Sequence, residues 1–246
     1  MAVGVKEALR LIDLHIQKCG YEIVPIEISI GSISAQEIFA EHFMPRFNNS
    51  AMDGYGVKYN DAGKIVKVID TILAGSKKTT KVKEGKVIKI MTGARVPKSV
   101  DAVVPQELIK IIDKKKIQLP SNIVPFSHIR YVGEDIKNGE LLICDGDEIN
   151  ASKITLLASQ GVTHIKIYKK PKVTVFASGE ELKLHYKDVK KYQIYNSNTP
   201  TLIARAKELG CDVTFIGMAH DSVDSLKELI RNSLDSDLII TSGGVS

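Results

Sequence analysis

The chain has no tryptophan, only three cysteines, and few aromatic residues of any kind, 6% in all. Cys19, Cys144 and Cys211 are widely spaced and odd in number, which argues against a disulfide framework and fits a reducing, cytoplasmic setting. No apolar run approaches the roughly 18 residues of a membrane-spanning helix, so no membrane partner is expected. The N-terminus reads as an amphipathic helix rather than a signal peptide. His15, His42, His128, His164, His185 and His220 lack the paired spacing of a zinc site, and no Ser-His-Asp or Cys-His signature stands out. The net charge is +5, yet there is no arginine-rich helix or recognition motif, so nucleic acid is not expected as a partner. The lysines over 64–89 and 110–116 alternate with Val and Ile, as on solvated strand faces. A mild attraction for anionic small molecules is the other reading of that charge.

What is present is an ordinary globular balance of 43% hydrophobic and 26% charged residues in 246, enough for one or two domains. Val5, Ala8, Leu9, Ile12 and Ile16 recur at helical spacing and Gly20 supplies a stop, which predicts a helix over 3–19. Residues 22–33 alternate and predict a strand. Residues 44–56, dense in Pro, Asn, Asp and Gly, predict a loop. From 57 to 149 only short strands appear: Ile65–Ile69, Lys86–Met91, Ala102–Gln106, Leu108–Ile112 and Leu141–Cys144. They predict a β-barrel-like or β-rich insertion.

At 150 the pattern changes. Asn150 caps a predicted helix over 152–160, closed by Gly161, and Val162–Tyr168 is a predicted strand. Val173–Ala177, Val213–Gly217 and Leu238–Thr241 then alternate with two helical stretches. One starts at Thr199-Pro200 and carries Leu202, Ile203, Ala206 and Leu209 on one face. The other is capped by Ser222 and carries Val223, Leu226, Leu229 and Ile230. This β-α-β-α-β order predicts a parallel α/β unit. Ligands of such sheets sit beyond the carboxyl ends of the strands. The segments there are Ser178-Gly179-Glu180-Glu181, Gly217 to Asp221, and Ser242-Gly243-Gly244. Carboxylates beside a glycine turn that binds anions point to a phosphate ligand and a divalent ion of Mg²⁺ type.

Several strings carry a resemblance. They are Asn49-Ser50-Ala51-Met52-Asp53-Gly54-Tyr55-Gly56-Val57, Met91-Thr92-Gly93-Ala94-Arg95-Val96-Pro97, Asp101-Ala102-Val103-Val104-Pro105-Gln106-Glu107, Gly133-Glu134-Asp135-Ile136, Ser178-Gly179-Glu180-Glu181-Leu182, Asn196-Ser197-Asn198 and Ser242-Gly243-Gly244-Val245-Ser246. In this order the chain resembles the molybdopterin molybdotransferase family, which includes the gephyrin E domain. The resemblance implies an α/β plus β fold in an elongated multidomain chain. It implies a split N-terminal domain (1–45 with 141–170), an inserted β-barrel-like domain (46–140) and an incomplete molybdopterin-binding-like parallel α/β domain (171–246). The N-terminal helix would be free to pack on the α/β domain.

The implied activity is Mg²⁺-dependent insertion of molybdate into adenylylated molybdopterin with release of AMP. The implied assembly is a homodimer, with the pathway's adenylyltransferase as a candidate partner. By resemblance, Asp53, Thr92, Asp135, Glu181 and Asp221 are catalytic, and Glu181 and Asp221 hold the metal. Arg130, Asn198, Ser242, Gly243 and Gly244 bind substrate. More local readings stand beside these: a turn at Asp53, an ion pair of Arg130 with Asp135, and a helix cap at Asn198.

The chain also departs from the family. Arg130-Tyr131-Val132-Gly133 keeps one basic residue where several often precede the Gly-Glu-Asp string, His220 replaces a basic residue before Asp221, and 183–192 is lysine-rich. The family continues past Ser-Gly-Gly-Val-Ser into a further metal-site Asp, Pro-Gly-Lys and Pro-Gly-Asn-Pro segments and a C-terminal β-domain. The expectation is a C-terminally truncated member, with an exposed sheet edge, that does not complete catalysis alone. Alternatives are a non-catalytic dimerisation or binding scaffold and, against the Asn49–Val57 and Met91–Pro97 strings, a pterin adenylyltransferase. Tungsten and molybdenum oxyanions are not distinguished.

Overall fold

A computed structural model describes residues 3–220 and 222–243. The chain forms two compact units, one made of Met1–Glu37 with Ile143–Ser246 and the other of Ile38–Leu142. The first contains the α/β segment and most of the segments expected to form the split domain, whose residues 38–45 and 141–142 fall in the second.

In the unit Ile38–Leu142, six strands make one sheet. Their order is Ala102–Pro105, Gly54–Val57, Lys86–Ile90, Ile65–Ile72, Lys116–Gln118 and Lys110–Ile111. Only the pair Ile65–Ile72 with Lys86–Ile90 is parallel. The order has two free ends among the described residues, so the expected barrel-like insertion is an open mixed sheet. Strand alternation gives it two cores. Tyr55, Val57, Val66, Val87, Val104 and Ile117 pack together, and so, separately, do Ile72, Val82, Ile88, Ile90, Val100 and Val103. The longest strand serves both because its register slips between Val68 and Asp70. The extra residue carries Ile72 to the face opposite Val66.

The predicted loop 44–56 is only partly a loop. Asn49–Ser50 pairs with Ile129–Arg130, and Gly54–Val57 is a wholly buried strand. Its glycine marks crowding rather than turning. A Cβ on Gly54 would lie 2.2 Å from the carbonyl oxygen of Val104 on the neighbouring strand. Elsewhere in the unit, the buried Asp61 ties two turns together, accepting from the Gly85 N–H at 2.8 Å and from Lys64 Nζ at 3.2 Å.

In the other unit, helix α1 spans Val5–His15 and ends before the predicted Gly20 stop. The His15 Nδ1 lies 2.7 Å from the Leu11 carbonyl oxygen, so a ring N–H there is a second donor to a carbonyl near the helix end. The apolar face Val5, Leu9, Ile12 and Ile16 stays exposed. The strand predicted over 22–33 ends at Pro25, pairing as Tyr21–Pro25 with His164–Tyr168. Ile26–Ile28 is instead a single tight turn, with Ile26 buried and the Ser29 hydroxyl donating to the Ile26 carbonyl at 2.7 Å. Helix α2, Ala151–Ser159, follows its local signals: Asn150 Oδ1 accepts from the Lys153 N–H at 3.0 Å, and Gly161 closes it at φ +80°.

The α/β part has the expected β-α-β-α-β order. Its three parallel strands lie as Asp212–Ala219, Lys172–Ser178, Leu238–Ser242. The central strand is buried continuously over 173–177, as a doubly flanked parallel strand should be. Helix α3 spans Asn198–Glu208 and helix α4 spans Val223–Arg231. Leu209, predicted on the α3 inner face, falls after the helix and is exposed, and the α4 apolar residues Val223, Leu226 and Ile230 are exposed too.

Gly54→Ala forces a methyl group into backbone that cannot yield. It is expected to lower the unfolding free energy by about 2 kcal/mol or more, read from the denaturant midpoint followed by circular dichroism. An unchanged midpoint would show that the two strands are free to separate.

Candidate functional site

The strands Lys172–Ser178 and Leu238–Ser242 run in register, Ala177 opposite Ser242. Immediately beyond, Gly243 lies so close to Ser178 that a Cβ on it would be 2.2 Å from the Ser178 carbonyl oxygen. Its φ of +107° is open only to glycine. On the other side of Ser178 the chain turns at Gly179, and the Glu181 carboxylate folds back over it. A Cβ on Gly179 would meet the Glu181 Oε1 and Oε2 at 2.8 and 2.9 Å. The Glu181 carbonyl accepts from the Ile194 N–H at 2.9 Å, at the start of a short parallel pairing of Leu182–Lys183 with Ile194–Tyr195. The sharp chain reversal is thereby pinned at both ends.

The start of α3 reaches the same rim. Asn198 is its first residue, and its Nδ2 donates to the Ser242 Oγ at 3.3 Å. The cap is supplied not by Asn198 but by the buried Asn196, whose Oδ1 accepts from the Thr199 N–H at 3.1 Å and whose Nδ2 donates to Thr199 Oγ1 at 2.9 Å. Asn198 is thus free to face Ser242. Four predicted residues, Glu181, Asn198, Ser242 and Gly243, are brought to one edge of the sheet. Asp221 and Gly244 lie outside the described residues. The chain on either side of position 221 is anchored at the α4 N-terminus: the His220 N–H donates to Ser225 Oγ at 3.1 Å, and Ser222 caps by accepting from the Ser225 N–H at 3.2 Å.

Beside this edge opens a cavity of about 590 Å³ lined by Gly179, Glu180, Lys183, Lys187, Met218 and His220, among others. The sequence reading took the lysine-rich stretch only as a departure, and placed Ser178 at the strand end without giving it a role. The signal for the lysines was their position directly after a strand-end turn.

The remaining predicted residues belong to the other unit and form a second group there. Asp53 Oδ1 accepts from both the backbone N–H and the hydroxyl of Thr92, each at 2.7 Å. The Thr92 N–H, then its hydroxyl, hold the Asp53 carboxyl below the ordinary aspartate range. Arg130 Nε donates to Glu134 Oε1 at 2.8 Å, and its Nη2 pairs with Asp135. Glu134 also accepts from the Tyr131 N–H at 2.7 Å. Both partners raise the Arg130 pKa, Glu134 first, and the guanidinium in turn lowers that of Glu134. The strand Asn49–Ser50 joins the two groups: Arg130 pairs with Asn49, and the Ser50 carbonyl accepts from the Gly93 N–H at 2.8 Å.

A family model described as "MoeA N-terminal region (domain I and II)" matches residues 3–161, and one described as "Probable molybdopterin binding domain" matches residues 174–246. A molybdopterin molybdenumtransferase of Staphylococcus epidermidis is 34% identical over 253 residues, covering 99% of this chain and 60% of the relative. One from Haemophilus influenzae is 32% identical over 228 residues, covering 92% and 56%. The chain therefore spans about 60% of the length of the curated relatives it matches. A crystal structure of a molybdopterin biosynthesis MoeA protein from Pyrococcus horikoshii superposes with a TM-score of 0.89 at 27% identity, covering 100% of this chain and 68% of that one.

Thr92→Val removes the hydroxyl and keeps the backbone N–H. The Asp53 titration, followed by carboxyl carbon NMR, is expected to start below the ordinary aspartate value and to move part of the way back up in the variant. The sign follows from the depressed pKa. The Asp53–Thr92 contact stabilises fully above the ordinary aspartate range and is lost as pH falls through the lowered value. An unmoved titration would assign the depression to something other than the hydroxyl and leave the backbone donor alone to account for it.

Proposed function

The chain belongs to the molybdopterin molybdenumtransferase family, whose MoeA N-terminal region accounts for residues 3–161, and from that premise we propose that it acts in molybdenum cofactor synthesis. The substrates are adenylylated molybdopterin and molybdate, and AMP is the leaving product. The reaction is a transfer, with the α/β edge as the nucleotide-binding surface. One observation carries this reading: the closeness of Gly243 to Ser178, which gathers Ser242, Asn198 and the Glu181 carboxylate at the carboxyl ends of parallel strands. That is where open α/β sheets bind their ligands.

The chain's own groups suit a phosphate. Gly243 presents no side chain to hold a ligand off the backbone, and the first residue of α3 contributes an amide N–H₂. Lys183 and Lys187 line the adjoining cavity, where a developing negative charge on AMP would be met.

Mg²⁺ belongs to the proposal as well. It asks for hard oxygen donors, few of them from protein. Glu181 offers an exposed carboxylate at the rim, and among the described residues no larger His, Cys, Asp or Glu cluster competes for the role. Glu181 would hold the ion together with Asp221, which follows His220 in the chain. When bound, Mg²⁺ supplies charge neutralisation at the pyrophosphate. The role of Glu181 in the apo chain is to keep that edge acidic and oriented through its fixed backbone.

A homodimer and a cytoplasmic location complete the reading. The exposed apolar face of α1, with Val5, Leu9, Ile12 and Ile16, supports association with a second copy. The three free cysteines suit a reducing compartment. No helix among the described residues is long and apolar enough to cross a membrane.

Calorimetric titration of the 246-residue chain with AMP in the presence and absence of Mg²⁺ tests the proposal. Glu181→Gln is expected to weaken AMP binding at least about tenfold and to erase its dependence on Mg²⁺. Equal binding by wild type and variant would remove Glu181 from the site.

A further inference from the structure

The unit Ile38–Leu142 carries a cavity of its own, of about 350 Å³, between the segment 78–81 and the loop 95–99. Lys78 and Lys81 belong to the segment on one side and Arg95 and Lys98 to the loop on the other, and Thr79 and Ser99 also line the cavity. Both walls are built in. On the first, Asp70 Oδ2 accepts from Thr80 Oγ1 at 2.5 Å, and its Oδ1 accepts from Lys78 Nζ at 3.0 Å and from the Thr71 N–H at 2.8 Å. The Thr80 hydroxyl foremost, then Lys78, lowers the Asp70 carboxyl to about 2. The strut therefore stays ionised at any working pH. On the second wall, Ser99 Oγ accepts from the Val82 N–H at 2.9 Å, and Val82, Val96 and Val100 are all buried in one core. The Val96 N–H donates to the Asn48 carbonyl at 2.9 Å, which fixes the backbone beside Arg95.

Charge balance is the telling feature. No carboxylate stands among the residues lining the groove, and Asp70, which braces one wall, is engaged by Lys78 and Thr80. Among the described residues, Lys81, Arg95 and Lys98 have no acidic partner within ion-pair distance. Cations scattered over an open strand face repel one another weakly because water screens them. Cations facing each other across a concavity focus their field and raise the local concentration of anions. The groove has room for about a dozen waters, more than a lone tetrahedral oxyanion displaces. Two opposed cationic walls match an anion with charges on both sides.

We propose that this groove binds a small oligophosphate, either free pyrophosphate or the polyphosphate tail of a nucleotide. Arg95 grips it bidentately across from Lys81, Lys98 closes the second wall, and the hydroxyls of Thr79 and Ser99 donate to bridging oxygens. The site is separate in the chain from the α/β edge and does not rest on the function proposed for that edge.

Lysine acetylation followed by peptide mass spectrometry on the full chain tests this site by position. Millimolar pyrophosphate is expected to slow acetylation of Lys81 and Lys98 at least about fivefold, as mass action gives for a mostly filled site. ATP should protect equally and adenosine not at all. Lys6 and Lys110, exposed elsewhere, should change little. Arg95→Ser should abolish protection. Lys98→Ser, read at Lys81, gives the same answer if the first variant folds poorly by circular dichroism. Glu181→Gln should leave protection intact, which separates this site from the α/β edge. Absent protection, equal slowing at Lys6 and Lys110, or protection that survives both Arg95→Ser and Lys98→Ser would overturn the proposal. Protection by ATP but not by pyrophosphate or adenosine would assign the groove to the tail of a nucleotide, whereas protection by adenosine would overturn the proposal, because recognition would then lie with the base.

Discussion

The contact of Gly243 with the Ser178 carbonyl is the constraint on which the candidate site depends. A side chain there would collide with backbone at 2.2 Å, so the last described strand, Leu238–Ser242, is followed by the one residue type that permits the approach. The pairing of Ala177 with Ser242 sets the register on the preceding residue. A slip of one residue would send Ser242 to the opposite face and break its hydrogen bond with Asn198. Glu181 depends on the same point from the other side, because its carboxylate is packed over Gly179, next to Ser178. Three stretches of chain, at Glu181, at Asn198 and at Ser242-Gly243, thus share one mechanical origin.

Much of this was legible because it is locally encoded. Asn150 and Gly161 define α2 with no help from the rest of the chain. The order of apolar strands and amphipathic helices after residue 170 carries the parallel α/β unit, and the rule on strand ends carries Glu181, Ser242 and Gly243. The failures occur where one residue type has two physical uses. Glycine in Gly54-Tyr55-Gly56 reads as a turn, yet here it admits a neighbouring strand. Alternating isoleucines at 26, 28 and 30 read as a strand, yet Pro25 ends the strand and only Ile26 is buried. Asn196 and Asn198 are equally good caps by composition, and only the direction of entry into α3 decides that Asn196 caps and Asn198 faces Ser242. The position of Ser178 at a strand end is legible, but its role is not, because its contribution is a backbone carbonyl.

The β-rich unit shows a different economy. Its predicted site residues are largely occupied with one another. Asp53 takes both donors of Thr92, and Arg130 is shared between Glu134 and Asp135. The ion-pair reading of Arg130 with Asp135 is therefore realised in the structure, and a role toward substrate would have to act through it. A guanidinium held by two carboxylates leaves a net negative corner. Its attraction for an anion is correspondingly weak, in keeping with the loss of neighbouring basic residues at Tyr131 and Val132. A carboxylate already accepting two hydrogen bonds, such as Asp53, retains lone pairs for a donor and stays ionised through neutral pH.

The same sheet separates charge of the opposite sign. The groove at Arg95 and Lys98 is net positive, only three residues along the chain from Thr92. The segment Met91–Pro97 therefore links an acidic corner to a basic one. Ala94 and Val96, its inward residues, are buried in the core beneath, while Thr92 and Arg95 point outward and are exposed. Strand alternation alone would put Arg95 and Met91 on one side. The turn at Gly93, with φ +76°, breaks that parity and lets the hydroxyl and the guanidinium serve different partners. A Gly93 substitution that closed this left-handed conformation would disturb both corners at once, although the residue contributes no side chain to either. Because the second core locks Val96 and Val100 at the same time, the polarity of this face is a property of the packed module rather than of mobile side chains. The lysines between 64 and 89 look uniform in sequence, but the fold sorts them. Lys78 and Lys81 are gathered at a concavity, whereas Lys67 and Lys86 face each other along a ladder.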